Sequence, residues 1–400
     1  MFKNYSSLFN NKWIVALLFL PFIQPTYLGL ISIVNKIYSL TQIIVFLLVI
    51  LLLYLSGKRI SLFTLTATIF LVTRVFLTYI YNPSYLISSI HTNVVILSLI
   101  LITELGLKSN SLRLLQAINF VFCSLVIINF VLMLIYPQGV YIDNPRVNEF
   151  RIGYFLGIDN HIAVYLLPAS TILLITSILK RKKVTLFPKI IILIILLTLI
   201  KVWSVTALIS IFIYLCLILF ATLPKLKNMI TIYRFSIAYL FLWLLVVILQ
   251  NLSFARVLIE NVFNKSMTLS YRTIIWNSAF KMIRQSPIFG YGMKQQGAFV
   301  PIGNTFASSH NILLQIMLET GIFGLTLLII IYFFSIKQLQ SYRKYAFSRY
   351  LTIGLFAVLL TFLTEANELN YLFILLTISA NIKVIINQSL LNKNKDIVED

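Results

Sequence analysis

About a dozen apolar stretches, most long enough to cross a bilayer, punctuate this chain and limit it to one kind of fold. They lie near 14–34, 37–55, 61–80, 85–105, 114–136, 162–179, 187–202, 204–223, 235–250, 310–336, 350–365 and 370–387. A helix of roughly 20 apolar residues matches the hydrocarbon thickness of a membrane. In that medium every backbone polar group must be satisfied within the segment, which selects helices over open sheets. The expectation is an all-α, polytopic integral membrane protein with about 12 transmembrane helices. Hydrophobic residues make up 60% of the 400, a share too large to bury in one water-soluble core.

The formal charge of +21 would suit a nucleic-acid binder, but its distribution does not. Basic residues sit in short clusters between apolar stretches and form no continuous basic face. With a cytoplasmic N-terminus, Lys58/Arg59, Lys108/Arg113, Lys180 to Lys183 with Lys189, Lys225/Lys227/Arg234, Lys337/Arg343/Lys344/Arg349 and the tail residues Lys393 and Lys395 all fall inside, as the positive-inside rule requires. Both termini are then cytoplasmic. The first stretch follows Lys3 and Lys12 and runs past Pro21 and Pro25 without a small-residue cleavage site, so it reads as an uncleaved signal anchor. Cys123 and Cys216 lie within apolar stretches, as buried thiols rather than a disulfide.

This layout divides the chain into three parts. Residues 1–250 hold nine spans and an outer loop at 137–161, residues 251–309 form a large extracytoplasmic loop, and residues 310–400 hold three spans and a tail. Both outer loops carry aromatics, Gly and Pro, not low-complexity sequence, and loops of such length are usually functional or disordered. They read as structured. No internal repeat of the kind many secondary transporters carry is visible.

The 11 acidic residues exclude several chemistries. There is no Asp-x-Asp pair for a metal-bound nucleotide sugar and no phosphate-binding Gly-rich loop ending in Lys-Ser/Thr. The histidines, His91, His161 and His310, are scattered and lack neighbouring ligands for zinc. Any reaction would draw its energy from a bond already activated in the substrate, without cofactor or metal.

What remains is cationic and lies toward the outer side. The two outer loops carry Arg146, Arg151, Arg256, Lys265, Arg272, Lys281, Arg284 and Lys294; Lys201 ends a span on that side, and Arg74 lies inside the third span. Guanidinium forks bind phosphate oxygens two at a time, so these residues suit a lipid-linked diphosphate. Equally, each fits a solvated loop or a snorkelling anchor. His310, in Ser308-Ser309-His310-Asn311, opens the tenth span where a titrating group meets a lipid-borne headgroup; it fits a general base or the neighbour of a helix cap at Ser309. His161, after Asp159 and Asn160, fits a polar lid; His91 fits a structural role. Asn311, Gln315 and Glu319 make a polar stripe on one helix face, with Glu319 either functional or paired to a buried arginine. Gly321 and Gly324 below them permit close helix packing.

Four segments in fixed order carry a resemblance. Tyr271-Arg272-Thr-Ile-Ile-Trp276, Ser286-Pro287-Ile-Phe-Gly290-Tyr-Gly292, Ser309-His310-Asn311-Ile-Leu-Leu-Gln315 and Leu318-Glu319-Thr-Gly321-Ile-Phe-Gly324 together resemble the signature of the O-antigen polymerase and ligase superfamily. Arg151-Ile-Gly153-Tyr-Phe-Leu-Gly-Ile-Asp159-Asn160 resembles a further family segment. One departure stands out: where many members carry Thr-x-Ser-Arg, this chain has Trp203-Ser204-Val205-Thr206, with Lys201 the nearest cation.

The resemblance implies a GT-C-like glycosyltransferase of the cell membrane, acting on oligosaccharide repeat units linked to undecaprenyl diphosphate. It would build capsular, exopolysaccharide or O-antigen chains by metal-independent, inverting transfer at the extracytoplasmic face. It implies His310 as catalytic base and Arg272, Arg151, Arg284 and Lys201 as diphosphate ligands. Asn311, Gln315, Glu319 and Asn160 would support them. Membrane lipids, a chain-length regulator and a flippase would be the partners, with no nucleic acid. Rival readings are a ligase that moves a finished glycan to another acceptor, a flippase or secondary transporter, and a non-catalytic export scaffold.

Overall fold

The computed structural model describes residues 8–146, 149–158, 161–249, 272–302, 305–366 and 369–398. They form a helical bundle with two small sheets. In chain order the helices are α1 (Lys12–Phe19), α2 (Thr26–Leu30), α3 (Ser32–Ser56), α4 (Leu62–Tyr81), α5 (Leu86–Ile135), α6 (His161–Arg181), α7 (Leu186–Val202), α8 (Val205–Thr222), α9 (Ile232–Trp243), α10 (Arg272–Gln285), α11 (Ile312–Ser341), α12 (Ala346–Thr361), α13 (Asn370–Ala380) and α14 (Ile382–Val398). Strands β1 (Tyr141–Arg146), β2 (Glu149–Tyr154) and β3 (Gly157–Ile158) form an antiparallel sheet between α5 and α6; β4 (Val300–Ile302) and β5 (Thr305–Ala307) form a hairpin before α11. Structure in the loop at 137–161 thus takes the form of a sheet. In the 251–309 segment the described part carries α10 and the hairpin, while Tyr271, Arg256 and Lys265 lie outside the described residues.

Among the described residues, six helices are long and apolar enough to cross a membrane: α3, α4, α5, α6, α8 and α11. The bent pair α13–α14 makes a seventh if taken as one span. The chain is a membrane-embedded, polytopic all-α protein, but the twelve expected spans are not twelve span-length helices. The stretches 85–105 and 114–136 are the two arms of α5, joined at Asn110, whose φ of −153° and ψ of 94° leave the helical region. The stretch 14–34 is broken. After α1, capped by the Asn11 side chain on the Trp13 amide, the chain passes through a 3-10 turn containing Pro21, and Pro25 then precedes the five-residue α2. Proline offers no amide to continue an α-helical ladder, so α1 stops ahead of Pro21, while Pro25 stands at the N-cap of α2. The stretches at 235–250 and 350–365 form shorter apolar helices, α9 with a following π turn (Leu244–Ile248) and α12. The pair α13–α14 bends by 53° at Asn381.

Burial sorts the helices. Every residue of α6 from Ile162 to Thr176 is buried, so α6 is the central strut, packed by α5, α7, α12 and α13. On α3, Leu40, Ile43, Ile44, Leu47 and Leu51 are exposed at helical spacing, a face of the kind lipid covers. Lys58 Nζ donates to Ser109 Oγ at 2.7 Å and Lys108 Nζ to the Arg59 carbonyl at 2.7 Å, which gathers these basic residues at one end of the bundle. Buried Glu104 accepts there from the Ser61 amide at 2.8 Å and pairs with Lys108.

The most irregular element is α11. Gly321 interrupts it with φ 61° and ψ −161°, where a continuous span was expected. The segment 286–292 fills the break. The Tyr291 and Gly292 amides donate to the Leu318 and Glu319 carbonyls at 2.8 and 2.9 Å, and the Ile322 and Phe323 amides donate to the Pro287 and Ile288 carbonyls at 2.8 and 3.2 Å. Every group named would otherwise face a medium with no water. A Cβ on Gly321 would stand 2.2 Å from the Ile288 carbonyl carbon, so two of the motifs interlock through a site only glycine fits.

Candidate active site at the start of α11

The turn before α11 assigns one task to each residue. Asn311 is the N-cap: its Oδ1 accepts from the Leu314 amide at 3.1 Å. The expected cap, Ser309, instead donates from Oγ to the Asn311 carbonyl at 2.8 Å. The difference follows from His310, whose φ of 47° is left-handed and turns the chain so that the next residue meets the helix amides. The Asn311 amide group donates to the Phe362 and Leu363 carbonyls at 3.4 and 3.0 Å, tying this turn to the end of α12.

That tie brings a residue to the centre that sequence reasoning passed over. Glu365 lies just beyond α12, is 4% exposed, and accepts from His310 Nδ1 at 3.2 Å. It is also ion-paired to Arg272 Nη2. Burial raises the Glu365 pKa, but the Arg272 guanidinium and the His310 imidazole outweigh it and hold the carboxyl at about 2. A carboxylate on Nδ1 favours the tautomer with Nε2 bare, the form that accepts a proton. His310 keeps about a third of its side chain exposed, as access by a substrate requires.

Arg272 is aimed by Trp276. The two stand at i and i+4 on α10 and so share a face. Trp276 is fully buried, and its indole N–H donates to the Ser309 carbonyl at 3.0 Å, which fixes α10 against the His310 turn. The Arg272 Nε is buried without a hydrogen-bond partner.

Below this centre a polar chain descends α11. Gln315 Oε1 accepts from the Ser309 amide at 3.1 Å, and Gln315 Nε2 donates to Glu319 Oε1 at 3.0 Å. Arg74 Nη2 pairs with Glu319 Oε2 at 2.7 Å, and Arg74 Nη1 donates to Asn93 Oδ1 at 3.1 Å. Of the two readings open for Glu319, the geometry displays a pair with a buried arginine. Asn311 joins this chain through Ser309 and through its own carbonyl, which also accepts from the Gln315 amide at 2.9 Å.

The remaining expected ligands lie on other elements or at the far end of α10. Arg284 is exposed at the far end of α10, about 18 Å from Arg272 at 1.5 Å per residue, because helix rise separates them. Lys201 is exposed in the last turn of α7, and Arg151 is exposed on β2 opposite Asp143. Asn160 and Asp159 lie outside the described residues. The segment around Val205 does reach the centre: Thr206 Oγ1 lies 2.8 Å from Thr364 Oγ1, beside Glu365. His161 opens α6 close enough to act electrostatically on Glu365. Among the described residues, no three His, Cys, Asp or Glu side chains are grouped to hold a metal ion.

Fold and site together define a membrane-embedded protein with a histidine, a carboxylate and an arginine converging at a helix start. Residues 190–329 match the family model Wzy_C, described as O-antigen ligase, so over that stretch the chain matches the O-antigen polymerase and ligase superfamily. The match includes Arg272, His310 and Glu319 and ends before Glu365. No curated protein and no solved structure matches the chain.

Proposed function

We propose that this protein is a membrane glycosyltransferase that polymerises oligosaccharide repeat units carried on undecaprenyl diphosphate, at the extracytoplasmic face of the cell membrane. The family match supports a polymerase or ligase type of function. The observation that carries the chemistry is the convergence of His310 and Arg272 on Glu365.

In this reading, Glu365 orients the imidazole, and His310 Nε2 takes the proton from the attacking sugar hydroxyl. The hydroxyl oxygen forms a bond to the anomeric carbon as the bond to the diphosphate oxygen breaks, inverting that carbon. Arg272 stabilises the charge that builds on the leaving diphosphate. The glycosyl–diphosphate bond that breaks supplies the energy, consistent with a sequence that has no nucleotide motif. A chain-length regulator and a flippase would be its protein partners.

A ligase that transfers a finished glycan to another acceptor is the second reading, favoured by the description of the matching family. Purified protein supplied with lipid-linked repeat units alone separates the two. A ladder of lengthened products supports polymerisation, whereas transfer seen only when a separate acceptor is added supports the ligase.

A further inference from the structure

A cavity of about 390 Å³ opens between α2, α3, α5, α6 and α13, outside the hydrogen-bonded centre described above. Its lining includes Gln24, Gln42, His91, His161, Tyr165 and Asn370 and, among the described residues, contains no Lys, Arg, Asp or Glu. Several of these side chains are held in place. Gln42 Nε2 donates to the Pro21 carbonyl at 2.8 Å, and its Oε1 lies 2.7 Å from His91 Nε2. Gln24 Nε2 donates to Asn35 Oδ1 at 3.1 Å. The broken first stretch of the sequence creates the space, since Phe22, Pro25 and Gly29 line it where a continuous helix would pass.

We propose that this cavity binds an uncharged, hydroxyl-rich sugar unit of the glycan that the protein extends. The inference rests on the glycosyl-transfer reading and assigns it a subsite. A phosphate would find no cation there, and an acyl chain would leave amides and imidazoles facing hydrocarbon. A sugar ring presents hydroxyls to amide groups and C–H faces to aromatic rings, and both are available. Tyr165 and Tyr371 meet edge to face with centroids 5.2 Å apart, and the Tyr165 hydroxyl is buried without a hydrogen-bond partner. The volume lies in the range of small-ligand sites. The cavity also adjoins the reaction centre, because His161 both lines it and acts on Glu365, and Asn370 begins the helix that follows Glu365.

The test uses full-length protein in lipid nanodiscs and the free oligosaccharide released by mild acid from the host's own lipid-linked repeat units. Binding is measured by calorimetry, with neither lipid nor diphosphate on the probe. Wild type binds it; Gly29→Leu, which adds a side chain at a lining position where a Cβ meets only the Gln24 side chain at 3.4 Å, weakens binding about tenfold or more. Tyr165→Phe removes only the unpartnered hydroxyl, leaves folding intact, and weakens binding about fivefold, the loss of one hydrogen bond. A wild type that binds no free glycan, or equal binding by all three proteins, overturns the proposal. Binding that depends on Gly29 and Tyr165 in a protein that transfers nothing supports the cavity and defeats the enzyme reading instead.

Discussion

Arg74 of α4 and Glu319 of α11, 245 positions apart in the chain, form a two-bond ion pair inside the bundle, 2.7 Å from Nη2 and 3.1 Å from Nε to one carboxylate oxygen. Each residue is 5% exposed. Removing one member of such a pair strands a buried charge, at a cost of about 3–5 kcal/mol. Glu319→Gln should therefore lower thermal stability in detergent, and Arg74→Gln/Glu319→Gln should recover much of the loss. A Glu319→Gln protein as stable as wild type but with shortened product would move Glu319 from packing to chemistry.

His310 calls for a substitution that respects its backbone. Alanine at φ 47° would add strain, whereas asparagine tolerates this region and can still donate to Glu365. His310→Asn should keep protein level and lipid-linked repeat units intact while product falls on the order of 10²–10⁴-fold, the contribution of a positioned general base. Turnover by purified His310→Asn equal to wild type would end that assignment.

For Arg272 the prediction concerns shape rather than charge. Arg272→Lys keeps a cation near Glu365 but loses the second donor direction. Product formation should drop about 10²-fold, within the range for losing one transition-state donor. Full activity in the lysine variant would reduce Arg272 to an electrostatic anchor.

Glu365 gives a pH signature. Its folded pKa of about 2 lies below the ordinary 4.5, so its contribution to stability is present above 4.5 and is lost as pH falls toward 2. That shift is worth on the order of 3 kcal/mol. The melting-temperature gap between wild type and Glu365→Gln should narrow as pH falls below 4.5. A gap unchanged down to pH 3 would mean that the carboxylate is not held by Arg272 and His310 as the structure has it.

Gly321 and Gly57 make a matched pair. Both have positive φ, 61° and 58°, but a Cβ at Gly57 meets nothing within 4 Å while one at Gly321 collides with the Ile288 backbone. Gly57→Ala should cost about 1 kcal/mol, the conformational penalty alone. Gly321→Ala should cost several times more and deplete folded protein in the membrane; equal expression of the two would contradict the interlocked break.

The motifs made His310 and Arg272 legible because their order is a linear pattern. Glu365 was legible only in part. One of 11 acids, it closed the apolar stretch at 350–365, and that was a signal available for weighing. Its meaning depends on Asn311 bonding the end of α12, a contact across 51 and 52 positions that no local pattern encodes. Gly321 was visible as a glycine, but packing and helix breakage leave the same mark in a sequence; only the partner segment at 286–292 distinguishes them. Prolines are more direct: Pro21 and Pro25 stand inside the first apolar stretch, and their missing amides break a helix that hydrophobic length alone would continue. Arg284 shared a loop with Arg272 in the sequence, and the rise of α10 parted them.

The break at Gly321 also bears on how the chain is assembled. The half of α11 from Ile312 to Thr320 is about 13 Å long, too short to cross a bilayer by itself. Its orphaned carbonyls depend on amides at 291 and 292, which leave the ribosome earlier. The segment that completes the helix is thus already made when the half-helix emerges, and insertion of α11 becomes a docking event onto a waiting template rather than a solitary partition into lipid.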